Sequence, residues 1–421
     1  MCVNIMGLNG DKMINTLENQ GKKIIVTLMA VYFFLGKLKL FTLAKVSTDY
    51  LFWAILFCGL LFFCIAGRKI KIKNSSRIFI LYLVFELIEM FRGTDATPIM
   101  IFNILTILIY LYIRDTHDLE KWWFKLLYVG GGYYTVTVLL QALIPSLINK
   151  MRMTLLSTTD YELSQKGYEN TTNYMSGMAA NSAVAAFFIA IFIAIAFAKL
   201  TNEQNNGFKN LLLVFGGLSA LLLTQKRTLI LAIVIAIAFV YAFFKKGISK
   251  KIRFFMVAGI LFLVFAFLAI EFIPSAQILL NRFFHNKDLL SGRENYYDVM
   301  LQWYKSNPLL GAGIGKANST WGYGGHNSYI QLLGETGIIG CAIYACMVIP
   351  PILKIFKLLY KVWNDSYILD NYREDVEIVL ATGIICIVIL IYAITGNPFY
   401  DFTFCLAWFS ILAVPSQVTV P

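Results

Sequence analysis

Long apolar blocks fill nearly the whole of this chain, separated by short polar stretches. Crossing a bilayer as a helix takes roughly 20 apolar residues. Blocks near that length lie at 24–43, 50–66, 78–92, 98–113, 122–145, 175–199, 210–224, 228–244, 254–273, 336–356, 376–394 and 402–415. Several are short or hold a charge, as with Lys37 and Lys39 in the first and Glu86 and Glu89 in the third. The pattern predicts an all-α polytopic membrane protein of about twelve transmembrane helices, forming a single integral membrane domain over 1–421. One stretch departs from it. From Arg293 to Gly340 the chain is polar and Gly-rich, an island between hydrophobic helices.

Composition agrees with the pattern. Of 421 residues, 58% are hydrophobic and 14% charged, with a mean hydropathy of +0.68. Soluble domains average about 25% charged residues, so the apolar excess has to face lipid. Most Lys and Arg gather in alternate connections, including the runs 68–77 and 245–253, while the connection 395–401 has none. By the positive-inside bias both termini lie inside, and the longer segments 146–174 and 274–335 lie outside, the second between helices nine and ten. The net charge of +12 then reflects topology and attraction to anionic membrane lipids rather than nucleic-acid binding, for which no aromatic-basic motif is present. Residues 1–21 lack the apolar region and small-residue cleavage site of a signal peptide, so the first helix is expected to remain as an anchor. Six of the seven cysteines fall in predicted helices and Cys2 at the inner terminus. No disulfide framework is expected.

Two broad readings weaken on inspection. No internal repeat supports an inverted-repeat transporter. The GAGIG at 311–315 lacks the preceding strand, third glycine and downstream acid of a dinucleotide fingerprint. It reads as a tight turn after the loop helix NYYDVMLQWYKS, introduced by Pro308, whose backbone amides can still hold an anion.

Three side chains stand out as candidate chemistry. Arg227, in LLLTQKRTLILA, lies at the outer edge between two helices. Such an arginine commonly snorkels to headgroups; facing a cavity, its planar fork suits a diphosphate. Arg293 opens the loop helix, as a solvated charge or a partner of Glu294 or Asp298, or as a second cation of a site. His326, after Gly324-Gly325 and before an apolar run, is placed at the entry of the tenth helix. A histidine there is often structural, yet it titrates near neutrality and can act as a neutral base. The other histidines are His117 and His285. No partner at metal-ligand spacing accompanies His326, and spacing alone gives little support to an ion held by Glu294, Asp298 and Glu335. Tyr296, Tyr297, Trp303, Tyr304, Trp321 and Tyr323 crowd the same outer segment, as interface anchors or as stacking platforms for a ligand. The polar segment 146–174 recognises a ligand or caps the bundle.

LTQKRTLIL, SGRENYYDVMLQWYKSNPLLGAGIG and HNSYIQLLGETGIIG resemble the shared core of the O-antigen ligase and O-antigen polymerase superfamily, bacterial membrane glycosyltransferases that use undecaprenyl-diphosphate-linked glycans. Its arginine-x3-leucine and histidine-x10-glycine patterns are met by Arg227…Leu231 and His326…Gly337, and its arginine before the loop helix by Arg293. The resemblance covers about 215–345. It implies a multi-helix inverting glycosyltransferase of the inner (cytoplasmic) membrane with its site facing outside, Arg227 and Arg293 stabilising the diphosphate and His326 as general base. Asn327, Tyr296, Trp303, Gly311 and Gly313 are expected to bind substrate. No cofactor and no metal are expected. Expected partners are the lipid-linked donor and acceptor, membrane lipids and a chain-length regulator protein. HNSYIQLLGETG with GAGIG looks more like a polymerase of surface polysaccharide (O-antigen or capsule) than a ligase. A flippase or other transporter is the reading from a different class.

Overall fold

The structure, a computed structural model, describes residues 74–90, 92, 119–169, 174–202, 207–249, 293–414 and 418, with scattered positions between 20 and 34 and at 252, 256 and 259. The expected spans at 50–66, 98–113 and 254–273, and much of that at 24–43, lie outside the described residues, as do His117, His285 and 274–292 of the large outer segment.

The described residues form helices and no strand. They are α1 (Asn74–Met90), α2 (Leu119–Leu143), α3 (Pro145–Leu155), α4 (Thr158–Glu169), α5 (Ser182–Asn202), α6 (Gly207–Leu223), α7 (Arg227–Phe244), α8 (Glu294–Ser306), α9 (Lys316–Trp321), α10 (Ser328–Val362), α11 (Ser366–Asn371), α12 (Arg373–Tyr392) and α13 (Phe402–Ala413). Five are long and apolar enough to cross a membrane: α2, α5, α7, α10 and α12; α6 and α13 are shorter apolar helices.

α5 and α12 form the centre. α5 is apolar on every side, and its residues from Ala185 to Ala198 are all buried, as expected of a helix enclosed by others. α2 crosses it at close range because Gly131 lacks a Cβ; one there would strike the Phe188 carbonyl and Phe192. Aromatic contacts such as Phe187 against Phe404, with ring centroids 4.6 Å apart, tie α13 to the same core.

Helix ends sort onto two faces. At one, Lys121 of α2 pairs with Asp375 of α12 at 3.1 Å, and Asn202 of α5 donates to the Arg373 carbonyl. Lys245, just after α7, donates to the Trp363 carbonyl at the end of α10. At the other face lie the starts of α7 and α10 and the end of α12.

Among the described residues, the segments 146–169 and 293–321 hold the helices α3, α4, α8 and α9. Within 146–174, α3 is pinned by the buried Arg152, which donates to the Gly177 carbonyl (2.6 Å), Gln141 Oε1 (3.0 Å) and Ser176 Oγ (2.8 Å). The tenth expected span, 336–356, is corrected: α10 begins at Ser328, and 336 lies where the helix breaks. Gly337 sits there at φ 60°, ψ −164°. The amides of Ile338 and Ile339, freed by the break, donate to the Pro308 and Leu309 carbonyls. A Cβ on Gly337 would run into the Leu309 carbonyl, so both the conformation and the contact require glycine. Gly337→Ala is expected to destabilise the protein by at least about 2 kcal/mol, seen as a lower thermal midpoint of the detergent-solubilised protein; an unchanged midpoint would contradict this account of the break.

Candidate active site

Where α7 and α10 start and α12 ends, the structure opens a cavity of about 460 Å³, within the usual range for small-ligand sites. Arg227, Arg293 and His326 all line it, with Lys226, Tyr174 and Asn397. Arg227 is the first residue of α7, and no side chain caps that helix start. The positive end of the helix dipole thus adds to the side-chain charge. Lys226 lies with Nζ 5.3 Å from the Tyr174 ring centroid. Arg293 precedes α8 and donates to the Thr395 carbonyl at 2.9 Å, while Thr395 Oγ1 donates to Thr228 Oγ1 at 2.7 Å. α7, α8 and the 393–401 connection are therefore joined around the cavity. Asp401 contributes the one carboxylate of the lining, and it caps α13 by accepting the Thr403 N–H.

His326 has φ 58°, a left-handed conformation uncommon outside glycine, asparagine and aspartate. Its carbonyl accepts from the Tyr297 hydroxyl at 3.3 Å. Burial first, then the positive charges of Arg293 and Lys226, pull its pKa from the usual 6.5 to about 4. Both effects disfavour the imidazolium, so the ring is neutral at physiological pH.

The remaining candidate residues are placed around this cavity rather than in it. Asn327 caps α10, its side chain accepting the Tyr329 and Ile330 amides. Tyr296 and Trp303 belong to a half-buried aromatic cluster. Trp303 stacks on Trp321 at 5.3 Å, Tyr296 meets Trp321 at 4.8 Å, and Tyr323 lies 5.6 Å from the His326 ring. Gly311 and Gly313 are further away in role. Their amides donate to the Asn307 and Glu335 carbonyls. The amides of the Gly-rich turn are taken up by a side chain of the protein itself: Glu335 accepts the Gly315 and Ala317 N–H groups at 3.1 and 2.8 Å. Glu335 is wholly buried there, which accounts for its absence from the cavity, and no cluster of three or more His, Cys, Asp or Glu forms among the described residues.

Sequence reasoning missed Lys226, Tyr174, Asn181, Asn397 and Asp401, which line the cavity. Lys226 was marked only by adjacency to Arg227. The 395–401 connection drew notice for lacking basic residues, whereas its Asn397 and Asp401 are what it brings to the site.

The described residues thus define a helical, multi-pass membrane protein with a cavity lined by Lys226, Arg227, Arg293 and His326. Residues 211–345 match the family model described as O-Antigen ligase, so the resemblance to the O-antigen ligase and polymerase superfamily is shown over that segment. The matched residues include Arg227, Arg293 and His326. No curated protein matches the chain.

Proposed function

We propose that this protein is a surface-polysaccharide polymerase, joining undecaprenyl-diphosphate-linked repeat units at the outer face of the cytoplasmic membrane. The observation that carries the reading is one cavity holding Lys226, Arg227, Arg293, an uncapped helix start and the neutral His326. The donor is a glycan whose anomeric carbon bears a lipid diphosphate. The acceptor hydroxyl oxygen attacks that carbon, the bond to the diphosphate breaks, and the diphosphate leaves with the electron pair. Fixed cations stabilise the charge that grows on it, and His326 takes the proton of the attacking hydroxyl. Direct displacement inverts the anomeric centre.

The printed description of the matched family favours a second reading with the same chemistry, a ligase that passes finished polymer to lipid A core or another acceptor. Deleting the gene in its host separates the two. Surface glycan reduced to single repeat units is the expected result; full-length polymer stranded on its lipid carrier would make the protein a ligase. Intact polymer made but retained inside would instead identify a transporter.

A further inference from the structure

Between the Gly-rich turn and His326 lies a buried polar relay that the mechanism above does not use. Gln331 and Glu335 stand one helical turn apart on α10, on the same side, and are 1% and 0% exposed. Glu335, which fills the turn through the Gly315 and Ala317 amides, also accepts from Gln331 Nε2 at 3.1 Å. Gln331 Oε1 accepts the Gly325 N–H at 2.8 Å; a backbone N–H only donates, so this contact fixes which way the Gln331 amide points and leaves Nε2 facing Glu335. Gly325 is the residue before His326. Its packing is tight: a Cβ on it would meet Met300 of α8, and one on Gly324 would meet Asn397.

We propose that Gln331 and Glu335 are positioning residues, a relay that locks the Gly324–His326 turn and sets the imidazole at the cavity wall; its functional meaning rests on the reading of His326 as the base. A left-handed histidine persists only where its surroundings over-determine it; the Tyr297 hydroxyl holds the His326 carbonyl, and the Gly325 amide is the buried anchor just before it. The Gly-rich turn then serves the site indirectly. It holds Glu335, Glu335 accepts from Gln331, and Gln331 holds the turn that carries His326.

The test uses the purified full chain in detergent and needs no substrate. Diethyl pyrocarbonate acylates neutral imidazole, and mass spectrometry follows His326, His117 and His285 separately across pH 3.5–8 (a range of roughly two units about the expected midpoints). In Gln331→Met, which removes the acceptor at similar volume, His326 should react roughly fivefold to tenfold faster, the factor expected from one lost hydrogen bond. Its titration midpoint should move up from about 4 toward 6.5 as the ring gains solvent. The groups facing it (Lys226, Arg293, Tyr297 and Tyr323) are unchanged in the variant, and the other two histidines should keep their rates. An unaltered His326, or all three histidines accelerating together, overturns the proposal. Glu335→Gln gives a second reading, since one oxygen becomes a donor facing a backbone N–H; wild-type His326 reactivity there removes Glu335 from the relay. Failure of the base assignment would look different: product formed without the His326 imidazole, with these reactivities as expected.

Discussion

Replacing His326 by asparagine is expected to lower glycan-bond formation by about 10²–10⁴-fold, the range a general base contributes, with the protein still present in the membrane. Asparagine is the informative choice because it tolerates the left-handed backbone that His326 adopts, so loss of activity reports loss of the base and not of the turn. His326→Ala should give the same result with some added strain. The pH dependence follows from the cause of the shift. Burial and two neighbouring cations hold the imidazole near 4, so the free protein has its base in the neutral form at every pH well above that value. A bound diphosphate neutralises those cations, which makes the proton more welcome and raises the pKa in the reactive complex. A stronger base is thus present when it is needed. The acid limb of turnover should accordingly lie above the acid limb of kcat/KM, which reports the free protein. Near-normal product from His326→Asn would end the base assignment.

Much of the fold was legible because the governing signal is local and repeated. The apolar blocks at 122–145, 228–244 and 376–394 correspond to α2, α7 and α12 within a few residues, since burial in lipid needs only length and composition. α10 was read short for a physical reason. Its first eight residues, Ser328 to Glu335, carry Gln331 and Glu335 inward, Gln331 to Gly325 and Glu335 to the distant turn at Gly315 and Ala317, so they look polar in sequence while being buried in space. The site was half legible. Arg227, Arg293 and His326 could be singled out because each is an unusual residue at an apolar boundary. Asn397 and Asp401 could not, because nothing local distinguishes a cavity-lining amide from one that closes a turn. Gly311 and Gly313 show the converse. Their pattern signals a turn with amides turned inward, but sequence gives no means of telling a substrate phosphate from the protein's own Glu335 carboxyl. That distinction depends on a contact between residues 20 apart, Gly315 and Glu335.

Arg227→Gln and Arg293→Gln are each expected to reduce turnover by about 10²–10³-fold, or roughly 2.7–4 kcal/mol, the cost of removing one preorganised donor from a charge-stabilising site. The two should differ in what accompanies the loss. Arg227 acts beside an uncapped helix start, so Arg227→Lys keeps charge but loses the planar fork and should recover only part of the rate. Arg293 also depresses His326. Removing its charge must raise the imidazole pKa, because a positive neighbour disfavours protonation, so in Arg293→Gln the acid limb of kcat/KM should shift upward toward 6.5. No charge lost at Glu294 or Asp298, on the same helix, should reproduce that shift, since neither contributes to the His326 titration. If both arginines grip one diphosphate, the double variant should cost less than the product of the single losses, because groups acting on one charge are not additive. Fully multiplicative losses would separate the arginines into independent roles, and single variants with turnover within about threefold of the parent would remove them from the charge-stabilising role altogether.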